Sequence, residues 1–235
     1  MTPALFAAFL LATAGMLTLL ARRFLPARDW SVLVGGLALW LLYVGGLSWF
    51  GVVRDPTLRP PGVSYIVGPA FLFVLLVVVR SRAAGRIART IPLSLLIGFQ
   101  IYRIGVELFL HQLWREGLVP RMLTFEGANV DVWIGVSAPL AAWLSARGRN
   151  GERLALVWNV LGLAALANVV VRSALTAPGS LHLLDAEVAK RAIGTFPYTF
   201  IAGFFAPLAV ALHVLALRAI AARLANPAYP KGFRV

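Results

Sequence analysis

Residues 91–114 read IPLSLLIGFQIYRIGVELFLHQLW. As an α-helix this stretch rises about 36 Å, enough to cross a hydrocarbon core about 30 Å thick. No charge precedes Arg103, but Gln100, Arg103, Glu107 and His111 then recur at intervals of three and four. At 100° per residue they share an arc of about 80°, and Trp114 joins it. An ionisable group inside a membrane span is costly unless it faces protein or water, so this single polar stripe must point into a bundle of other helices. The stretch therefore predicts a polytopic all-α membrane protein rather than a lone anchor.

The rest of the chain supplies the partners. Of its 235 residues, 60% are hydrophobic and only 13% are charged, with a mean hydropathy of +0.83. A soluble domain of this size does not keep such a balance. Apolar runs place spans at 3–21, 30–53, 63–79, 91–114, 132–146, 154–176 and 197–217, seven in one transmembrane domain covering 1–235. Breaks between them carry Arg pairs, Pro60-Pro61-Gly62, four arginines from Arg80 to Arg89, and Arg147-Gly-Arg149-Asn-Gly. The first run has no charge before Arg22 and reads as a retained helix, not a cleaved signal.

Cytoplasmic connections retain positive charge. One side carries Arg22, Arg23 and Arg28, then Arg80, Arg82, Arg86 and Arg89, then Arg147, Arg149 and Arg153, and finally Arg218, Arg223, Lys231 and Arg234. The other has only Arg54, Arg59, Arg115, Arg121, Lys190 and Arg191, offset by six acids. This asymmetry predicts an N-terminus outside and a C-terminus in the cytoplasm of an inner (cell) membrane protein. Only Lys190 and Lys231 among the 22 basic residues are lysines, the composition of a GC-rich, bacterial genome. The net charge of +13 sits in short clusters between apolar spans, which points to anionic lipids at the cytoplasmic face and not to nucleic acid. Having no cysteine, the chain has no disulfide, thiolate metal site or thiol nucleophile.

Trp30, Trp49, Trp114, Trp133, Trp143 and Trp158 fall near span ends, as interfacial anchors do. Mid-span Pro69, Pro139 and Pro207 each free a carbonyl about one turn earlier. Helical depth places Glu107 and His111 in the outer half, level with Asn168 and Arg172 of the sixth span, while Asn129 and Asp131 open the fifth span from outside. The candidate binding residues are thus Arg103, Glu107, His111, Asn129, Asp131, Asn168 and Arg172. Arg103 with Glu107, and Glu107 with His111, are spaced to pair along the helix. Asn129 or Asp131 is also placed to cap the fifth helix. His213 falls near the cytoplasmic end of its span, too far from His111 to share an ion, with Asn159 its expected neighbour; the sequence leaves open whether the two form a second, cytoplasmic-side site. The outer loop from Ala177 to Pro197 contains His182 and an amphipathic stretch, 181–193, expected to lie on the membrane as a lid.

Arg103-x-x-x-Glu107 followed by Met122, Thr124-Phe125-Glu126-Gly127, Asn129 and Asp131 resembles a pattern in a family of uncharacterised bacterial seven-helix membrane proteins. Trp158-Asn159-x-x-Gly162-Leu163, Ala177-Pro178 and the segment from Pro207 to His213 are similar to it too, so the resemblance spans roughly the C-terminal 60% of the chain. It implies a shared architecture and no particular chemistry.

The residues favour a small solute or lipid bound or transported through an outward-facing site on the fourth to sixth spans, with Glu107 as a proton-linked carboxylate. A membrane-embedded enzyme is the alternative, with Glu107 or His111 as general base and a metal held by His111, His182, Glu107 and Asp131. HExxH, GxSxG and Walker motifs are absent, and haem ligation would use up two of three histidines. A third reading is an accessory subunit whose stripe binds a partner helix. The last span has no lysine for a retinal Schiff base. Cofactor and oligomeric state are not encoded in any motif.

Overall fold

The computed structural model describes residues 3–55, 57–176 and 192–225. Most of the expected lid (181–191), including His182, lies outside the described residues, as do Lys190, Arg191, Lys231 and Arg234. Among the described residues all regular structure is helical. Helix α1 (Pro3–Phe24) turns through Pro26 into α2 (Ala27–Trp49), and Trp30 Nε1 donates to Thr18 O (2.9 Å) across the hairpin. Helix α3 (Ser64–Phe73) continues as a π-helical turn, Val74–Val79, and then bends 71° into α4 (Arg82–Thr90). Helix α5 (Leu93–Gly98), a 3-10 turn (Phe99–Ile101) and α6 (Tyr102–Arg115) form one span of 23 residues. After α7 (Asp131–Ser145) and α8 (Gly148–Leu175), a second π-helical turn (Ile201–Phe205) opens α9 (Ala206–Ala225).

Five described helices are long and apolar enough to cross a membrane, six if the bent pair counts as one span. Helix α7, with 15 residues, rises only about 22 Å. Two expectations are corrected. The arginines from Arg80 to Arg89 do not make a plain connection: residues 82–90 form a helix that exposes Arg82, Arg86 and Arg89 and buries Ala84, Gly85 and Ala88. Ser81 starts it, its hydroxyl accepting from Ala84 N (3.0 Å). The last helical span covers Ile201–Ala225, not 197–217.

Two of the mid-span prolines act as anticipated, and α2 answers both. Pro69 has no N–H for Tyr65 O, which instead accepts from Tyr43 Oη at 2.8 Å. Pro207 likewise frees Gly203 O, which accepts from Trp40 Nε1 at 2.6 Å. A freed carbonyl in hydrocarbon costs several kcal/mol, so these aromatic donors account for the one tryptophan that sits mid-span. Otherwise α2 is peripheral. The core lies among α5 to α9, joined to α1 by Phe6, whose ring meets Phe109, Tyr198 and Phe205 edge-on within 6 Å. Helix α7 packs along α8 and α5, and α9 packs against α8, α4 and α5.

Candidate functional site

The stripe on α5–α6 faces the protein interior: Gln100, Arg103 and Glu107 are 0%, 3% and 2% exposed. Gln100 Nε2 reaches Ala209 O on α9 (3.2 Å). The C-terminal end of α6 is fixed by Gly117, whose φ of +70° a residue with a Cβ adopts only at a cost. Gly117 N donates to Trp114 O and Leu118 N to Leu113 O, both 2.8 Å, the paired bonds of a Schellman stop. The chain thereby folds back over the stripe. Just outside the span, Gln112 Nε2 donates to the exposed Glu116 carboxyl (2.9 Å) and holds it below the usual carboxylate range.

Arg103 is the hub. Its Nη2 forms an ion pair with Asp131 Oδ1 at the start of α7, and its Nη1 lies 3.0 Å from His213 Nε2 on α9. A guanidinium only donates, so His213 Nε2 must accept and the ring proton sits on Nδ1. Nδ1 then donates to Asn159 Oδ1 on α8 (2.8 Å), and Asn159 Nδ2 donates to Ala155 O (2.8 Å). One directed chain of hydrogen bonds thus ties α6, α7, α8 and α9. Gly162 admits it, since a Cβ there would fall on the His213 ring.

The Asn159–His213 neighbourhood is as anticipated, but its depth is corrected. His213 lies midway along Ile201–Ala225, at the level of Arg103, so it belongs to the same cluster and not to a separate cytoplasmic-side one. The signal was present in Ala219, Ile220 and Leu224, which carry the apolar run past Leu217.

Toward the C-terminal end of α6, Asn129 Nδ2 donates to Glu107 Oε1 (2.6 Å) and Leu123 O (3.0 Å), while its Oδ1 accepts from Asp131 N (2.9 Å). Asn129 therefore supplies the side-chain acceptor at the start of α7, and Asp131 serves Arg103 instead. The expected pairs along the helix do not form: Arg103 makes no ion pair with Glu107, nor does Glu107 bond His111, because the loop and α7 bring Asp131 and Asn129 closer. Glu107 Oε2 is buried with no hydrogen-bond partner among the described residues. The same holds for His111 Nδ1, whose ring stacks on Phe125 at 4.8 Å. Asn168 and Arg172 stand one step away: Arg172 Nε donates to Asn168 Oδ1 (2.8 Å), and Asn168 Nδ2 to Ala128 O (2.7 Å), the residue before Asn129.

Above this layer, Arg121, Met122, Glu126, Gly127 and Ala128 line an open depression of about 570 Å³. Among the described residues no three His, Asp or Glu side chains are placed to hold a metal ion. Contacts run without a break from Glu107 through Asn129 and Asp131 to Arg103, and they leave one Glu107 oxygen without a partner among the described residues.

Long apolar helices around an enclosed polar network define a helical membrane protein. The chain belongs to the family described as a domain of unknown function (DUF8737), which matches residues 60–221 and so contains the whole network. No curated protein and no solved structure matches the chain.

Proposed function

We propose that this is a bacterial inner-membrane protein that crosses the bilayer seven times, N-terminus outside and C-terminus in the cytoplasm. It binds or transports a small solute or lipid through an outward-facing polar site on its fourth to sixth spans. The spans are α1, α2, α3 with its π-helical turn, α5–α6, α7, α8, and α9 with its π-helical turn. The charge asymmetry of the connections orients them, with anionic lipid against the arginine-rich face. Glu107 and His111 meet the ligand; Asn129 and the Arg103–Asp131 pair form the floor; Asn168 and Arg172 hold the covering loop.

The observation that carries this reading is the Glu107 carboxyl, enclosed and satisfied on one oxygen only. Buried polar atoms are nearly always paired, and an unpaired one calls for a proton, a water or a ligand. An accessory subunit whose stripe binds a partner helix would present that stripe to lipid, whereas here it is buried within the chain.

A chain without cysteine makes the test direct. Thr57→Cys and Glu126→Cys, both exposed, should react with an impermeant maleimide on intact cells, and Arg149→Cys only after permeabilisation. Met122→Cys, in the depression above Glu107, should react from the outer side alone. Labelling of Glu126→Cys and Arg149→Cys from one side would refute the topology, and reaction of Met122→Cys only from the cytoplasmic side would refute the outward-facing site.

A further inference from the structure

We infer that the groove between α7 and α8 is a binding site for an anionic glycerophospholipid, its acyl chain along the groove and its phosphate at the arginines where α7 ends and α8 begins. The site is separate from the Glu107 layer and requires only that these helices stand in a bilayer.

The groove encloses about 240 Å³. Its floor is low because Ala141 and Ala155, buried at the helix contact, carry only a methyl group, while Leu140, Leu144, Leu154 and Leu161 rise on either side. The one hydroxyl in the lining is already engaged: Ser137 Oγ donates to Trp133 O (2.6 Å) and accepts from Trp158 Nε1 (2.9 Å). With no free polar group, the lining suits hydrocarbon and not a polar solute.

What selects the head group lies at one end. Leu144 and Leu154 adjoin Arg147 of the connection and Arg149 and Arg153 of the first turns of α8, all exposed. Arg153 lies one helical turn below Val157, which lines the groove, and Arg149 one turn below Arg153, so the cations extend the same row. Arg147 Cζ sits 3.3 Å from the Trp143 ring centroid, which holds a guanidinium at the depth where an indole anchors. The one acid among these residues, Glu152, faces Arg223 (3.8 Å) and leaves the arginines available.

The experiment uses the whole protein in mild detergent with phosphatidylglycerol or phosphatidylcholine bearing a photoactivatable acyl chain, followed by peptide mapping. Phosphatidylglycerol should crosslink within residues 137–161 and survive delipidation better than phosphatidylcholine. Arg149→Gln/Arg153→Gln should weaken phosphatidylglycerol retention roughly 10- to 30-fold, the loss expected for two surface arginines. Leu140→Trp, placed at a 58% exposed residue, should abolish crosslinking of both lipids without changing the thermal midpoint in detergent. Equal retention of the two lipids by the wild type, or phosphatidylglycerol crosslinks in Leu140→Trp at the wild-type level, would overturn the assignment; either variant alone suffices if the other misfolds.

Discussion

Asp131→Ala should cost the folded protein about 3–5 kcal/mol, because it leaves the Arg103 guanidinium buried without its counter-ion. At this chain length that corresponds to a fall in thermal midpoint on the order of 10 °C. The loss measures the exposed penalty of Arg103 more than the attraction it had, so removing both ions should hurt less than removing one. Arg103→Met/Asp131→Leu is therefore expected to melt above Asp131→Ala, its residual deficit being the Arg103–His213 hydrogen bond, about 1–3 kcal/mol. Thermal melts of Arg103→Met, Asp131→Leu and the double form a cycle. A double variant less stable than Asp131→Ala would show that the pair is not the centre of the network.

Gly162→Ala should cost about 1–3 kcal/mol, the penalty for overpacking a filled core. A methyl on most helical glycines is harmless, and at Gly36, with nothing within 4 Å of a built Cβ, Gly36→Ala should be neutral or slightly stabilising. At Gly162 the built Cβ falls on the His213 ring, which is tethered at both nitrogens by Asn159 and Arg103. The ring cannot swing aside without breaking one of those bonds. Melts of the two variants in the same detergent check the contrast; equal midpoints would mean that α8 and α9 are free to separate around His213.

How these effects divide follows from what the sequence can encode. The 3- and 4-residue spacing of Gln100, Arg103, Glu107 and His111 specifies a shared face, and the cost of charge in lipid turns that face inward. Nothing in that spacing says which neighbours arrive across the gap. Arg103 bonds Asp131 and His213 in place of Glu107 because α7 approaches α6 closely at Gly135, where a Cβ would stand 2.9 Å from Ile104, and α8 approaches α9 closely at Gly162. Such approaches depend on whole helices, not on one span.

Arginines misled the reading of boundaries for a related reason. Arg218 reads as the polar end of the last span, yet its guanidinium donates to Val78 O, Val79 O and Ser81 O, at 2.7 to 3.0 Å. Val78 O and Val79 O are carbonyls left over where the π-helical turn of α3 ends, and Ser81 O, which also accepts from Gly85 N, opens α4, so α9 continues past them to Ala225. The same applies to α4, where exposed arginines at i, i+4 and i+7 belong to a helix packed on α9 and not to a loop. The mid-span prolines were more legible, since a missing N–H leaves a carbonyl that must be answered, and Trp40 and Tyr43 answer two of them.

Native mass spectrometry with elemental analysis of the protein purified in mild detergent tests the polar site most directly. A small molecule or lipid retained by the wild type should be lost in Glu107→Gln and kept in Arg149→Gln/Arg153→Gln, which separates it from any lipid in the α7–α8 groove. Stoichiometric metal that disappears in His111→Ala, or a retained molecule indifferent to Glu107→Gln, would contradict a binding site built on Glu107.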